Sequence, residues 1–221
     1  MCSCWRTVKM IVRMLRVLTA GMLFVFAAGA HAETQAPKLW YVTIGAGGAW
    51  YQDYKLTGAI VGTADMNTGF TVNGAFGRYL DDERVIRLEA EALYDRADIS
   101  NIGGTKVSGS LSNMGVMFNF LYDIPTNSRW IPYLGGGIGY SQVFVDDLSV
   151  GGVTLVDDSA GAFAWQFKAG IAYQFNPSMA VTLAYRYFAT DNVSFSSKIG
   201  GSVNTGGTDI QNAELGFRFN F

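Results

Sequence analysis

From Asn212 to Phe221, polar or small residues (Asn212, Glu214, Gly216, Arg218, Asn220) alternate strictly with apolar ones (Ala213, Leu215, Phe217, Phe219, Phe221). A period of two describes a strand with one polar and one apolar face. The same alternation, in segments of about ten residues bounded by turn residues, predicts eight strands. They are Leu39–Tyr51, Thr68–Tyr79, Arg84–Ala97, Leu111–Tyr122, Trp130–Gln142, Ala162–Phe175, Met179–Thr190 and Ile210–Phe221. The sixth is the clearest, with Phe163, Trp165, Phe167, Ala169, Ile171, Tyr173 and Phe175 against Gln166, Lys168, Gly170 and Gln174. In the third, Ile86, Leu88, Ala90, Ala92 and Tyr94 oppose Arg87, Glu89, Glu91 and Asp95.

Which face points outward decides the class. Aromatic side chains turned inward, as in a soluble lipocalin-like barrel, would overfill an eight-stranded interior, which side chains only just fill. Turned outward to lipid, they leave the polar sides to line the lumen, and the chain reads as a transmembrane β-barrel. Trp40 and Trp50 sit at opposite ends of the first apolar stripe. At about 3.3 Å per residue and a tilt near 40°, their separation matches an apolar band of about 25 Å. Trp40, Trp50, Trp165, Tyr173, Tyr185 and Tyr187 are accordingly read as the aromatic girdles. Arg78 is the one charge assigned to a lipid face, at a strand end where an arginine costs little.

Connection lengths carry the same message. The short connections, Leu80–Glu83, Asp123–Arg129 and Asn176–Ser178, alternate with long ones. Alternation of this kind separates periplasmic turns from extracellular loops. The predicted fold is all-β: an eight-stranded antiparallel up-and-down barrel with short periplasmic turns and long extracellular hairpin loops.

The N-terminus adds an address. Arg6, Lys9, Arg13 and Arg16 precede an apolar run from Leu18 to Ala30, and Ala30-His31-Ala32 supplies a small-x-small cleavage site. Residues 1–32 are therefore read as a signal peptide cleaved after Ala32, leaving 33–221 as the barrel domain in the cell outer membrane; Met1, Met10 and Met14 are all possible starts. Four of the 16 basic residues and none of the 18 acidic ones lie in the signal, so residues 33–221 carry a net charge of −6. An acidic chain argues against a nucleic-acid partner. Cys2, Cys4 and His31, the only cysteines and histidine, also lie in the signal. The exported chain is left without the groups for a disulfide scaffold, the usual zinc sites, a thiol nucleophile or a Ser-His-acid triad. No catalytic residue, cofactor or metal site is assigned, and enzymatic activity is not expected.

The inward set contains Arg87, Glu89, Glu91, Lys168, Arg186, Glu214 and Arg218, four basic and three acidic residues. Charges in so narrow a space must pair or cost several kcal/mol each, so they are read as a network that plugs the lumen; the alternative is a gated ion path through the same groups. Gly45-Ala46-Gly47-Gly48 and Gly135-Gly136-Gly137 lack the Lys-Ser/Thr and the following helix of a phosphate loop, and are read as relief of crowding inside the barrel.

Function is sought in the loops. Gly103-Gly104, Gly151-Gly152 and Gly200-Gly201 lie near the centres of three of them, and Gly-Gly supplies the positive φ of a two-residue hairpin turn. Strands are thus expected to project beyond the membrane as hairpins whose edges and tips offer strand addition to a partner. The pairs Asp146/Asp147 and Asp157/Asp158 in the third loop are read as solvated acids rather than a cation site.

The run Pro132-Tyr133-Leu134-Gly135-Gly136-Gly137-Ile138-Gly139-Tyr140, the pairs Trp165-Gln166 and Ala169-Gly170, Tyr185-Arg186-Tyr187 and the terminal Leu215-Gly216-Phe217-Arg218-Phe219-Asn220-Phe221 resemble the opacity-type, porin-like surface-antigen barrels of Gram-negative bacteria. The resemblance covers residues 33–221. It implies an outer-membrane surface protein, adhesive or host-interacting through its loops, with a small porin-like channel for ions or solutes as the alternative. Its partners would be outer-membrane lipid, a host surface molecule and, during biogenesis, the outer-membrane assembly machinery. Phe217, Phe219 and Phe221 resemble the C-terminal signal which that machinery takes up.

Overall fold

Every outward position named above is held there by backbone pairing. The computed structural model describes residues 38–52, 54–58, 62–102, 105–150, 153–196, 202–205 and 207–221. Its strands are β1 (Trp40–Tyr51), β2 (Tyr54–Gly58), β3 (Gly62–Met66), β4 (Gly69–Tyr79), β5 (Ile86–Ile102), β6 (Thr105–Lys106), β7 (Ser108–Asp123), β8 (Trp130–Val150), β9 (Val153–Asn176), β10 (Met179–Thr190), β11 (Val193–Ser196), β12 (Ser202–Thr205) and β13 (Asp209–Asn220). Eight of them close a ring in the order β1, β4, β5, β7, β8, β9, β10, β13 and back to β1, each pair antiparallel. Closure leaves no sheet edge in the barrel wall, as a span through hydrocarbon requires.

Alternation sets the two surfaces. Ile44, Phe118, Phe120, Ile138, Tyr140, Leu183 and Leu215 are all more than half exposed, whereas Arg87, Glu91, Asp95, Arg186 and Asn212 on the opposite parity are almost wholly enclosed. A wall that is apolar outside and charged inside is the reverse of a soluble barrel.

Short turns close one end. Between β4 and β5 the Asp81 carboxylate accepts hydrogen bonds from the backbone N–H groups of Val85 (2.9 Å) and Ile86 (2.8 Å). Arg84 takes φ 59° in this turn. Between β9 and β10, Asn176 Oδ1 accepts from Ser178 N at 2.9 Å, an Asx turn.

At the opposite end the strands read as Trp130–Gln142 and Ala162–Phe175 continue as β8 to Val150 and β9 from Val153, the projecting hairpin expected on either side of Gly151-Gly152. Along these extensions the enclosed side becomes apolar: Val143 and Val145 are buried inside while Ser159 is exposed. A search for apolar-outward alternation therefore stops where the strand goes on. One departure from expectation is that residues 52–67, read as a long extracellular connection with no strand assigned in it, contain the hairpin β2–β3. β12 pairs β2, β3 pairs the far end of β5, and β11 pairs β12, so the first and last long loops join one antiparallel sheet continuous with the barrel. The glycine pairs 103–104, 151–152 and 200–201 and the segment 1–32 lie outside the described residues.

Candidate functional site

Two unlike layers fill the lumen. Towards the short turns, Arg87 Nε donates to Asp123 Oδ1 at 2.8 Å and its Nη1 to Tyr41 Oη at 3.2 Å. Its guanidinium carbon lies 4.9 Å from the Tyr133 ring centre and 5.3 Å from that of Tyr41. Arg218 shares the same two rings at 5.6 and 5.3 Å and donates to Tyr79 Oη at 3.1 Å. Tyrosine faces thus separate two like charges and offset their loss of water.

The second cluster is built on Glu91. Its carboxylate receives Lys168 Nζ at 2.9 Å, Arg186 Nη1 at 3.3 Å, Gln166 Nε2 at 2.7 Å and Asn119 Nδ2 at 2.8 Å. Arg186 is also paired with Glu214 and donates to Thr71 Oγ1 at 2.8 Å. Tyr41 Oη donates to Glu89 Oε2 at 3.0 Å, which ties the two clusters together.

All seven charges named from alternation meet in this interior. Asp95 and Asp123 join them: Asp95 accepts from Asn212 Nδ2 at 3.1 Å and lies 3.8 Å from Arg186 Nη2. The described network therefore holds Arg87, Lys168, Arg186 and Arg218 against Glu89, Glu91, Asp95, Asp123 and Glu214. Asp123 was read as the first residue of a turn, yet its parity with Asn119 and Leu121 is that of an inward strand position. Arg87 Nη2, Arg186 Nε and Arg218 Nε have no protein partner. Among these groups a cavity of about 20 Å³, lined by Arg87, Glu89, Lys168, Glu214 and Arg218, has room for one water.

Above the charges lies an apolar layer. Ala49, Tyr51, Leu93, Ala97, Ile99, Leu111, Met117, Val143, Val145, Phe188 and Ile210 form one buried cluster, with Met66 and Val107 packed against it. It fills the loop end of the lumen. At the turn end a cavity of about 180 Å³ is lined by Arg84, Glu83, Asp123, Gln174, Arg218 and Asn220, among others. The described interior thus has a polar cavity on the turn side of the network and a mainly apolar cluster on the other.

Glycines make room for these side chains. A Cβ on Gly77 would collide with the Tyr41 ring, and one on Gly137 with Asn119 and the Phe118 carbonyl. Both are inward positions where the lumen has no spare volume.

On the outer face, Trp40 stacks on Phe76 at 5.1 Å and Tyr173 meets Trp130 at 4.6 Å at the turn end. At the loop end Trp165 meets Tyr187 at 5.4 Å, and Tyr185 Oη donates to Gln211 beside Trp50. Phe219 stacks on Phe221 at 6.2 Å, and the Phe221 backbone N–H donates to Trp40 O at 2.8 Å, zipping the last residue into the first strand. Arg96 and Asp98 also face outward, at the loop end of β5. Among the described residues no group of acidic, histidine or cysteine side chains is arranged to hold a metal ion.

Comparison with known proteins agrees with this geometry. A family model described as "Outer membrane protein beta-barrel domain" matches residues 18–221. A curated "Outer membrane protein" of Gluconacetobacter diazotrophicus is 33% identical over 135 residues, covering 54% of this chain and 35% of that protein. The chain thus matches about a third of that relative's length. Among solved structures, the outer membrane protein OprG of Pseudomonas aeruginosa is similar with a TM-score of 0.58 at 16% identity, covering 86% of this chain and 100% of that one. Neisserial surface protein A gives 0.51 at 19% identity, covering 82% and 97%.

Proposed function

The chain belongs to the outer membrane protein β-barrel family, and from that premise we propose that it is a surface protein whose projecting hairpins bind a partner outside the cell while the barrel itself stays shut. The observation that carries the reading is the sheet β11–β12–β2–β3–β5, in which separate loops are hydrogen-bonded into one framework continuous with the barrel. Loops fixed in this way lose little conformational entropy on binding, the condition for recognition through a preorganised surface. In this reading the glycine pairs 103–104, 151–152 and 200–201 are the tips of the binding hairpins.

The charged network acts as a structural plug and the apolar cluster above it as the seal. An ion crossing the lumen would have to shed its water among Met117, Phe188 and Ile210, which offer it no polar replacement. No catalytic residue is assigned. Phe217, Phe219 and Phe221 serve as the uptake signal for the assembly machinery in the same reading.

Cells expressing the protein are expected to adhere to a host surface, and replacing residues 146–158 by a Gly/Ser linker is expected to abolish adhesion. Undiminished adhesion by the variant refutes a role for that loop. In planar bilayers the purified protein is expected to give no openings; stable single-sized openings at neutral pH would favour the channel reading instead.

A further inference from the structure

One charged side chain interrupts the apolar outer face at its periplasmic end. Arg78 of β4 is exposed and shares a face with Phe76 and Leu80; its register partners are Trp40 on β1 and Leu88 on β5. Its guanidinium carbon lies 5.1 Å from the Trp40 ring centre. That ring stacks on Phe76 at 26° between planes, and Phe221 follows 6.5 Å from Phe76. The arginines of the lumen each have a carboxylate partner, Arg87 and Arg218 on Asp123 and Arg186 on Glu91. Arg78 has none among the described residues.

A guanidinium facing lipid is costly at the midplane and tolerated near the interface. With no protein carboxylate at hand, its counter-charge comes from outside the chain. The planar fork matches a phosphate oxygen pair, and a cation over an indole face is held in place with its donors free at the edge. At that depth the abundant anion is the phosphodiester of a phospholipid headgroup. Phe76, Leu88 and Phe221, each more than a third exposed beside it, are apolar surface for the acyl chains of the same molecule.

We propose that Arg78 and Trp40 form a binding site for a phospholipid of the periplasmic leaflet, the guanidinium taking the phosphodiester and the flanking Phe76, Leu88 and Phe221 the chains. The site rests on the family's membrane setting and on this face alone, and is independent of the adhesive reading. Arg96 at the other end of β5 is its natural control, because Asp98 follows it on the same face.

The test is native mass spectrometry of the full chain in detergent, titrated with dihexanoyl phosphatidylglycerol. Arg78→Gln is expected to weaken binding about tenfold, equivalent to about 1.4 kcal/mol. Arg78→Lys and Trp40→Leu weaken it less, Arg96→Gln leaves it unchanged, and inorganic phosphate does not displace the lipid. Heat-modifiable migration on gels identifies assembled barrels, and Trp40→Leu reports on the site if Arg78→Gln does not assemble. Unchanged affinity in Arg78→Gln, an equal loss in Arg96→Gln, or displacement by inorganic phosphate each overturns the assignment.

Discussion

Glu91 shows how much of the interior depends on one side chain. Lys168, Arg186, Gln166 and Asn119 all donate to it. Glu91→Ala would leave Lys168 with Glu89 alone and Arg186 with Asp95 and Glu214, and breaking a buried pair from one side costs about 3–5 kcal/mol. Urea unfolding of the barrel refolded into lipid is expected to register a loss of that size; a change under about 1 kcal/mol would mean that water replaces the carboxylate without cost. Alternation alone was enough to bring Glu91 and its partners to one face, because a period of two leaves no choice of side. It was not enough to say who pairs with whom. Arg186 meets Glu91, 95 positions away, and Thr71, 115 away, and such pairings follow from strand register across the lumen. Nor does alternation foresee that Gly77 is needed for the Tyr41 ring. That requirement comes from side-chain volume across neighbouring strands.

Among the strands, the closing pair β1–β13 carries the clearest consequence. Its register runs from Tyr41↔Asn220 to Tyr51↔Ile210, and the Phe221 backbone reaches beyond it to Trp40. Deleting Phe221 removes that last rung together with the ring stacked on Phe219. Outer-membrane insertion, followed as heat-modifiable barrel in membrane fractions, is expected to fall several-fold, whereas normal levels would count against an assembly role for the terminal aromatic. The eight barrel strands were legible because ten-residue alternation with aromatic ends is a strong signal when lipid lies outside. The upper parts of β8 and β9 were legible from a different signal, the near-symmetric flanks of Gly151-Gly152, since beyond Gln142 the outside is water again and lipid-facing alternation no longer marks a strand. β2 and β3 escaped both signals. They are short, and their pairing with β12 and β5 is long-range, so nothing local announces them.

The described molecule is one closed barrel whose loop end continues into an antiparallel sheet, with the polarity of the enclosed side changing between the two. The membrane part is apolar outside and charged within; the outer part carries Arg96 and Asp98 outside and Ile99, Val143 and Val145 within. Replacing residues 54–66 and 193–205 by short turns is expected to raise the unfolding rate about tenfold, equivalent to about 1.4 kcal/mol, with little change in folding rate, provided these contacts form late. Double-jump kinetics in lipid vesicles would measure both rates, and an unchanged unfolding rate would show that the outer sheet adds no kinetic stability. The change of polarity also bears on how the protein leaves a membrane, a process that equilibrium energies do not describe. The apolar filling, Leu93, Val143, Val145 and Phe188 among it, lies at the loop end of the described barrel. Once filled, that end is a rivet head: the shank cannot be drawn back until the head has been unmade, so the lifetime of the protein at the cell surface is set by the slowest opening of its outermost layer.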